Sequence, residues 1–153
     1  DRDILKMVLI NRYQKADPAF AFIHNLGLKD AAIASTVAHD SHNIIVVGTA
    51  DEDMQAALEA VVEMGGGLAA VSNGRLLAGL PLPIAGLMSL ESVSTVRDQL
   101  ERLIEIAHDM GTTLQDPFMT LSFMALPVIP ELKLTDMGLI DVSKFEVVPL
   151  FVE

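Results

Sequence analysis

Ile4 to Ile10, ILKMVLI, is an apolar run broken only by Lys6. It predicts a strand with both faces covered, because a half-wet strand would alternate. Beyond a polar turn at Gln14 to Pro18, Phe20, Phe22 and Ile23 predict a short strand-like piece. Asn25 to Asp30, with Gly27 inside it, reads as a turn. Ala31 to Ala38 is small and mostly apolar, which predicts a strand in a crowded layer. Ile44 to Val47 is β-branched and uncharged, which predicts a buried strand.

The period then changes. Thr49-Ala50-Asp51-Glu52 has the spacing of a capping box, with Thr49 as N-cap. It predicts a helix from Ala50 to Met64 that buries Met54, Ala57, Leu58, Val61 and Val62. Met54 reads as core filler rather than as a ligand. Gly65-Gly66-Gly67 ends the helix. Phosphate-cradling glycines follow a strand and open a helix; these follow a helix, which argues against a nucleotide-phosphate loop. Leu68 to Val71 and Arg75 to Leu80 flank Ser72-Asn73-Gly74, a strong hairpin signal. Pro81 and Pro83 confine the next segment to an edge or a loop.

A second helix is predicted over Leu90 to Met110, capped by Ser89 or Ser92 and stopped by Gly111. Val93, Val96, Leu100, Leu103, Ile104, Ala107 and Met110 make its apolar stripe. His108 in its last turn suits the helix dipole, a structural role. Phe118 to Leu126 is strongly apolar, and Pro127 and Pro130 stiffen Leu126 to Leu132. Lys133 to Asp141 reads as a polar turn region around Gly138, and Lys144 to Val152 as a closing strand at an edge or bulge. The pattern predicts an α+β fold over residues 1–153, with mixed, partly antiparallel sheets covered by two main helices. One βαβ unit is allowed. A three-layer α/β arrangement is the runner-up.

Composition narrows the classes. With 153 residues the chain is one domain, and a hydrophobic content of 51% supplies a core. An eight-unit β/α barrel needs about 250 residues. No cysteine is present, which removes disulfides, thiolate metal sites and cysteine nucleophiles. A formal charge of -11 argues against nucleic acid and anionic membrane as partners. No run is long and apolar enough to span a bilayer. No leader-like stretch opens the sequence, so a cytoplasmic setting is expected. The sequence starts almost at once with a strand and without Met, as a piece of a longer protein would.

The candidate chemistry sits between the two central strands. His39-Asp40-Ser41-His42-Asn43 holds two of the four histidines in the chain. Buried polar groups must be paired, so the pentad is either a hydrogen-bonded bend or a site. On an extended strand His39 and His42 would point to opposite faces; on a tight bend they converge. Converged, two imidazoles and a carboxylate suit a divalent metal, and one His suits general acid or base work. Ser41 lacks the strand–turn–helix context of a hydrolase nucleophile. Glu131, beside rigid prolines, is a second candidate, against its reading as an ordinary solvated carboxylate.

Several blocks carry a resemblance: Ala34 to Ile44, Gly65 to Leu68, Leu82 to Ser89, Pro117 to Phe123, LPVIPELKLT from Leu126 to Thr135, and Gly138-Leu139. In order and over nearly the whole chain, they resemble the C-terminal domain of bacterial adenine deaminases, members of the amidohydrolase superfamily. The resemblance implies a parent enzyme that hydrolyses adenine to hypoxanthine and ammonia. It uses a metal-activated water, with manganese or iron, in an N-terminal barrel. The barrel site needs a His-x-His pair, which this chain lacks, so most or all of the hydrolytic machinery is expected elsewhere. The isolated chain is then inactive, a fragment or a free-standing relative, and holds no metal ligand of its own. The resemblance implies that His39, Asp40 and His42 act at the barrel mouth, with Ser41, Asn43 and Glu131 lining the substrate pocket. The expected partners are the N-terminal barrel and adenine, with a homo-oligomer formed through an exposed apolar patch. The alternatives are an assembly domain with no part in the active site, or a stand-alone small-molecule-binding domain.

Overall fold

The computed structural model describes residues 2–151. The elements run β1 (Ile4–Ile10), β2 (Ala19–His24), β3 (Ala32–Ser35), β4 (Ile44–Gly48), α1 (Asp51–Glu63), β5 (Gly67–Ser72) and β6 (Arg75–Pro81). They continue with α2 (Val93–Asp109), α3 (Pro117–Phe123), β7 (Leu132–Thr135), β8 (Gly138–Asp141) and β9 (Glu146–Val148). The first six strands form one sheet in the order β2-β1-β4-β3-β5-β6, and the last three form a small second sheet. Every pairing between these strands is antiparallel. The α+β class therefore holds. The allowed βαβ unit exists in split form: β4 and β5 both run against β3, so they are parallel to each other, and α1 crosses over the strand between them.

The pleat sends alternate side chains to opposite faces and divides the interior in two. Leu5, Met7, Leu9, Ile33, Ile45 and Val47 face α2, α3 and the small sheet and build the main core. Ala32, Ala34, Val46, Ala69 and Val71 face α1 and its Met54, Ala57 and Val61. The alanines let α1 lie close to β3 and β5. Helix, sheet and a mixed helix–strand layer are thus stacked three deep, the layering of the runner-up with the pairing of the first reading. β4 is buried along its whole length, as expected of a β-branched central strand.

Several local expectations are corrected. α1 has Ala50 at its N-cap and no side-chain cap, because the Thr49 hydroxyl is taken up by Ala31, the residue before β3. It accepts the Ala31 N–H at 3.0 Å and lies 3.3 Å from the Ala31 carbonyl. Asp51, Glu52 and Asp53 complement the helix N-terminus instead. Val62 is 60% exposed, on the wet side of α1. Ser92 caps α2 as expected, accepting from the Thr95 N–H at 3.2 Å. The helix starts there rather than at Leu90, and Val93 lies off the sheet, 88% exposed. Ile106 packs into the core in addition to Leu103 and Ala107.

The apolar run after Asp116-Pro117 is a helix. Asp116 caps it by accepting from the Met119 N–H at 2.8 Å, and Pro117 sits in the first turn, where its missing N–H costs nothing. The region from Lys133 to Asp141 is a hairpin rather than a polar turn, with Leu134 fully buried. The closing strand shrinks to β9, and Val152 lies outside the described residues. Finally, β1 is not covered on both faces. α1 covers β1 and β2 only at the margin, through the Lys6–Asp51 ion pair and a pocket it shares with Val8, Ile10 and Phe20, so Ile4, Phe20 and Phe22 are each about half exposed on that side.

Candidate functional site

Antiparallel neighbours β3 and β4 are joined by residues 36–43 at one end of the sheet. Each step of this connection is held by another part of the chain. Thr36, 1% exposed, gives its hydroxyl proton to the Gly86 carbonyl at 2.6 Å and accepts the Gly67 N–H at 2.8 Å. The His39 N–H reaches the Ser122 carbonyl on α3 at 3.3 Å. The His42 N–H closes a helical turn onto the Ala38 carbonyl at 2.6 Å, and His42 itself sits at φ +51°. That left-handed step is what turns the two imidazoles toward one another. Their centroids are 5.6 Å apart, edge to face, and the His39 ring lies 5.4 Å from that of Phe123. The bend form of the pentad, not the extended form, is the one adopted.

The members of the pentad differ in exposure. Asp40 and Ser41 are exposed, His39 and His42 half-buried, and Asn43 is 1% exposed. Asn43 is occupied structurally: its Nδ2 donates to Ser41 Oγ at 3.2 Å and its Oδ1 accepts from the Arg12 N–H at 3.4 Å. Glu131 is exposed just before β7, while the opposite end of that strand is the one nearest the pentad. A cleft of about 310 Å³ separates the bend from the β7–β8 turn, lined by Asp40, Ser41, Pro127, Thr135, Asp136 and Met137.

Arg12 and Tyr13, which the sequence reading passed over, complete the site. The Arg12 guanidinium donates to the Ala85 carbonyl and, at 3.1 Å, contacts the Tyr13 hydroxyl. That hydroxyl donates to the His42 carbonyl at 3.4 Å. Asn11 Nδ2 donates to Asp136 Oδ2 at 2.8 Å, which ties the β7–β8 turn to the same segment. The available signal was a polar triplet, Asn11-Arg12-Tyr13, placed directly after an apolar strand.

Electrostatics favour neutral His42. Burial pushes its pKa below the ordinary value; the neighbouring His39 and Arg12 push the same way, and Asp40 opposes them. His42 Nδ1 and Arg12 Nε are buried with no hydrogen-bond partner among the described residues. The exposed edge of a neutral His42 can accept a proton or a hydrogen bond, whereas its Nδ1 is closed to solvent. The site does not fit a metal: among the described residues no group of three His, Asp or Glu side chains converges on a common point. Two imidazoles alone fall short of the three protein ligands usual at a catalytic ion.

The domain thus presents a two-imidazole bend at one end of its large antiparallel sheet. The chain belongs to the adenine deaminase C-terminal domain family, whose model matches residues 1–146. It is 54% identical over 150 residues to an adenine deaminase of Desulfatibacillum aliphaticivorans, a match covering 97% of this chain and 26% of that protein. An adenine deaminase of Syntrophobacter fumaroxidans is 57% identical over 152 residues, covering 99% and 26%. One of Brucella anthropi is 53% identical over 146 residues, covering 95% and 26%. The chain spans about a quarter of the length of the curated relatives it matches.

Proposed function

We propose that the chain is the C-terminal part of an adenine deaminase, and that its histidine bend closes the substrate pocket of a catalytic barrel lying N-terminal to it. In the reaction, water adds its oxygen to the amine-bearing carbon of adenine, the carbon–nitrogen bond breaks, and ammonia leaves with no change of oxidation state. The manganese or iron ion expected of the whole enzyme belongs to the barrel, and no step assigned to this chain runs through it. His42, neutral near pH 7, exchanges a hydrogen bond or a proton with the purine. His39, supported by Phe123, and the exposed Asp40 and Ser41 line the same mouth. Asn43 acts through the bend, not by touching substrate, and Glu131 would approach only from across the small sheet. A cytoplasmic setting and a place in purine salvage complete the reading; no described helix is long and apolar enough to cross a membrane.

The observation that carries the proposal is the pair of half-exposed imidazoles on a bend whose supports are buried and hydrogen-bonded. A rigid scaffold presenting polar groups at a loop is how binding and catalytic residues are usually held. The test is steady-state kinetics of His42→Asn in a full-length deaminase carrying this domain, Asn being a residue that tolerates the left-handed backbone. The expected result is a fall in kcat/KM of about a hundredfold. Unchanged kcat and KM would remove His42 from the pocket.

One observation favours an assembly role beside this one. The half-exposed Ile4, Phe20 and Phe22, with Lys6 among them and Phe151 against Phe22, form a largely apolar face at the margin of α1, suited to the barrel or to a second copy of the chain.

A further inference from the structure

Three segments far apart in sequence meet at Arg12. Its backbone N–H holds Asn43, the last residue of the pentad. Its Nη2 donates to the Ala85 carbonyl and, at 3.1 Å, to the Tyr13 hydroxyl, and the guanidinium carbon lies 5.0 Å from the Tyr13 ring centroid. Tyr13 in turn holds the His42 carbonyl. The loop on the far side is shaped to receive the guanidinium. Gly86 stands at φ +73°, and a Cβ there would lie 2.3 Å from an Arg12 terminal nitrogen and 3.1 Å from Thr36 Oγ1. Gly66 is bare for a matching reason, since its Cβ would fall 2.5 Å from the Gly86 Cα. The glycine loop, the Gly86 loop and the bend are thus nested, and the guanidinium is the outermost wedge.

We propose that Arg12 is a positioning residue: with Tyr13 it clasps the histidine bend to the Gly86 loop, and it sets the geometry in which His42 meets a ligand. The role deepens the deaminase reading and rests on it for its use in catalysis, but the clasp itself is a property of this chain. Lys is a poor substitute because it lacks the flat guanidinium, whose Nη2 bonds both the Ala85 carbonyl and the Tyr13 hydroxyl while Nη1 packs against Gly86. The charges around His42 are His39 and Asp40 on the bend and Arg12 and Tyr13 after β1, with Asp136 bonded to Asn11 nearby. α3 contributes Ser122 and Phe123, and the Ile84–Leu87 loop carries no titratable group.

The test is NMR on this chain, following the imidazole titrations and the exchange of the His42 amide. Arg12→Ala is expected to raise the His42 midpoint and to speed its amide exchange about tenfold through loss of the clasp. Arg12→Lys keeps the charge and so the low midpoint, yet exchanges nearly as fast as Arg12→Ala. Tyr13→Phe, which removes one hydroxyl at an exposed site, speeds exchange by about fivefold or less. Gly86→Ala loosens the bend in the parent chain, and adding it to Arg12→Ala has a smaller effect because the clash with the guanidinium is gone and only Thr36 and the positive φ remain. An unchanged midpoint and unchanged exchange in Arg12→Ala, or a Gly86→Ala effect of the same size in both backgrounds, overturns the clasp. Kinetics of Arg12→Ala in the full-length enzyme separate the two claims. If the bend loosens but turnover is unaffected, the clasp stands and the pocket reading falls.

Discussion

Among the connections between neighbouring antiparallel strands of the large sheet, those of β5–β6 and β3–β4 reverse the chain in opposite ways. β5 and β6 are joined through Asn73 and Gly74, both with positive φ, at +51° and +69°. That is the economical solution for a hairpin. Gly74 has open space around it and makes one outside bond, to Asp53 Oδ1 at 2.6 Å. β3 and β4 use residues 36–43 for the same reversal, bury Thr36, Ala38 and Asn43 among them, and bind the result to α3, to Arg12 and to two glycine loops. Reversal of the chain explains the first connection completely. It does not explain the second, whose extra length ends in two imidazoles held at a fixed spacing.

Substitutions sharpen the contrast. Thr36→Val keeps the volume but strands the buried Gly67 N–H and the Gly86 carbonyl; chemical denaturation should show a loss of about 1–3 kcal/mol. The same variant should shift the His39 and His42 resonances. Gly74→Ala meets no neighbour and costs only the left-handed backbone, about 1 kcal/mol, with both histidine spectra unchanged. Equal spectral effects from the two would erase the distinction. The smallest effect expected is in pH dependence. The folded pKa of His42 lies below its unfolded value near 6.5. The unfolded chain therefore takes up the proton first as pH falls, and the stability due to neutral His42 is lost through that window. Between about pH 7.5 and about pH 5.5, Tm of the parent chain should fall more steeply than that of His42→Asn. Parallel curves would show that His42 is not held neutral.

The contrast also marks what could be read from the sequence. The Asn73-Gly74 hairpin, β1, β4 and the Ser92 cap follow from local rules and were legible. The pentad was visible as a polar island, but its convergence was not, because it depends on a left-handed step at His42 stabilised from elsewhere. Arg12 meets Ala85 across 73 positions, a contact with no local trace. Thr49 misled for the same reason: its hydroxyl obeys the neighbouring strand rather than the helix it precedes. α3 was announced by Asp116-Pro117, a cap followed by a first-turn proline, but the apolar run behind it masked the period.

The most direct test of the pocket assignment is carbethoxylation of individual histidines, read by mass spectrometry, in this chain and in a full-length deaminase that carries it. His108, exposed at the end of α2, serves as the reference. His39 and His42 are expected to react in the isolated chain, to be shielded relative to His108 in the whole enzyme, and to be shielded further by adenine. Equal modification of both in the two proteins, with no response to adenine, would contradict the pocket assignment.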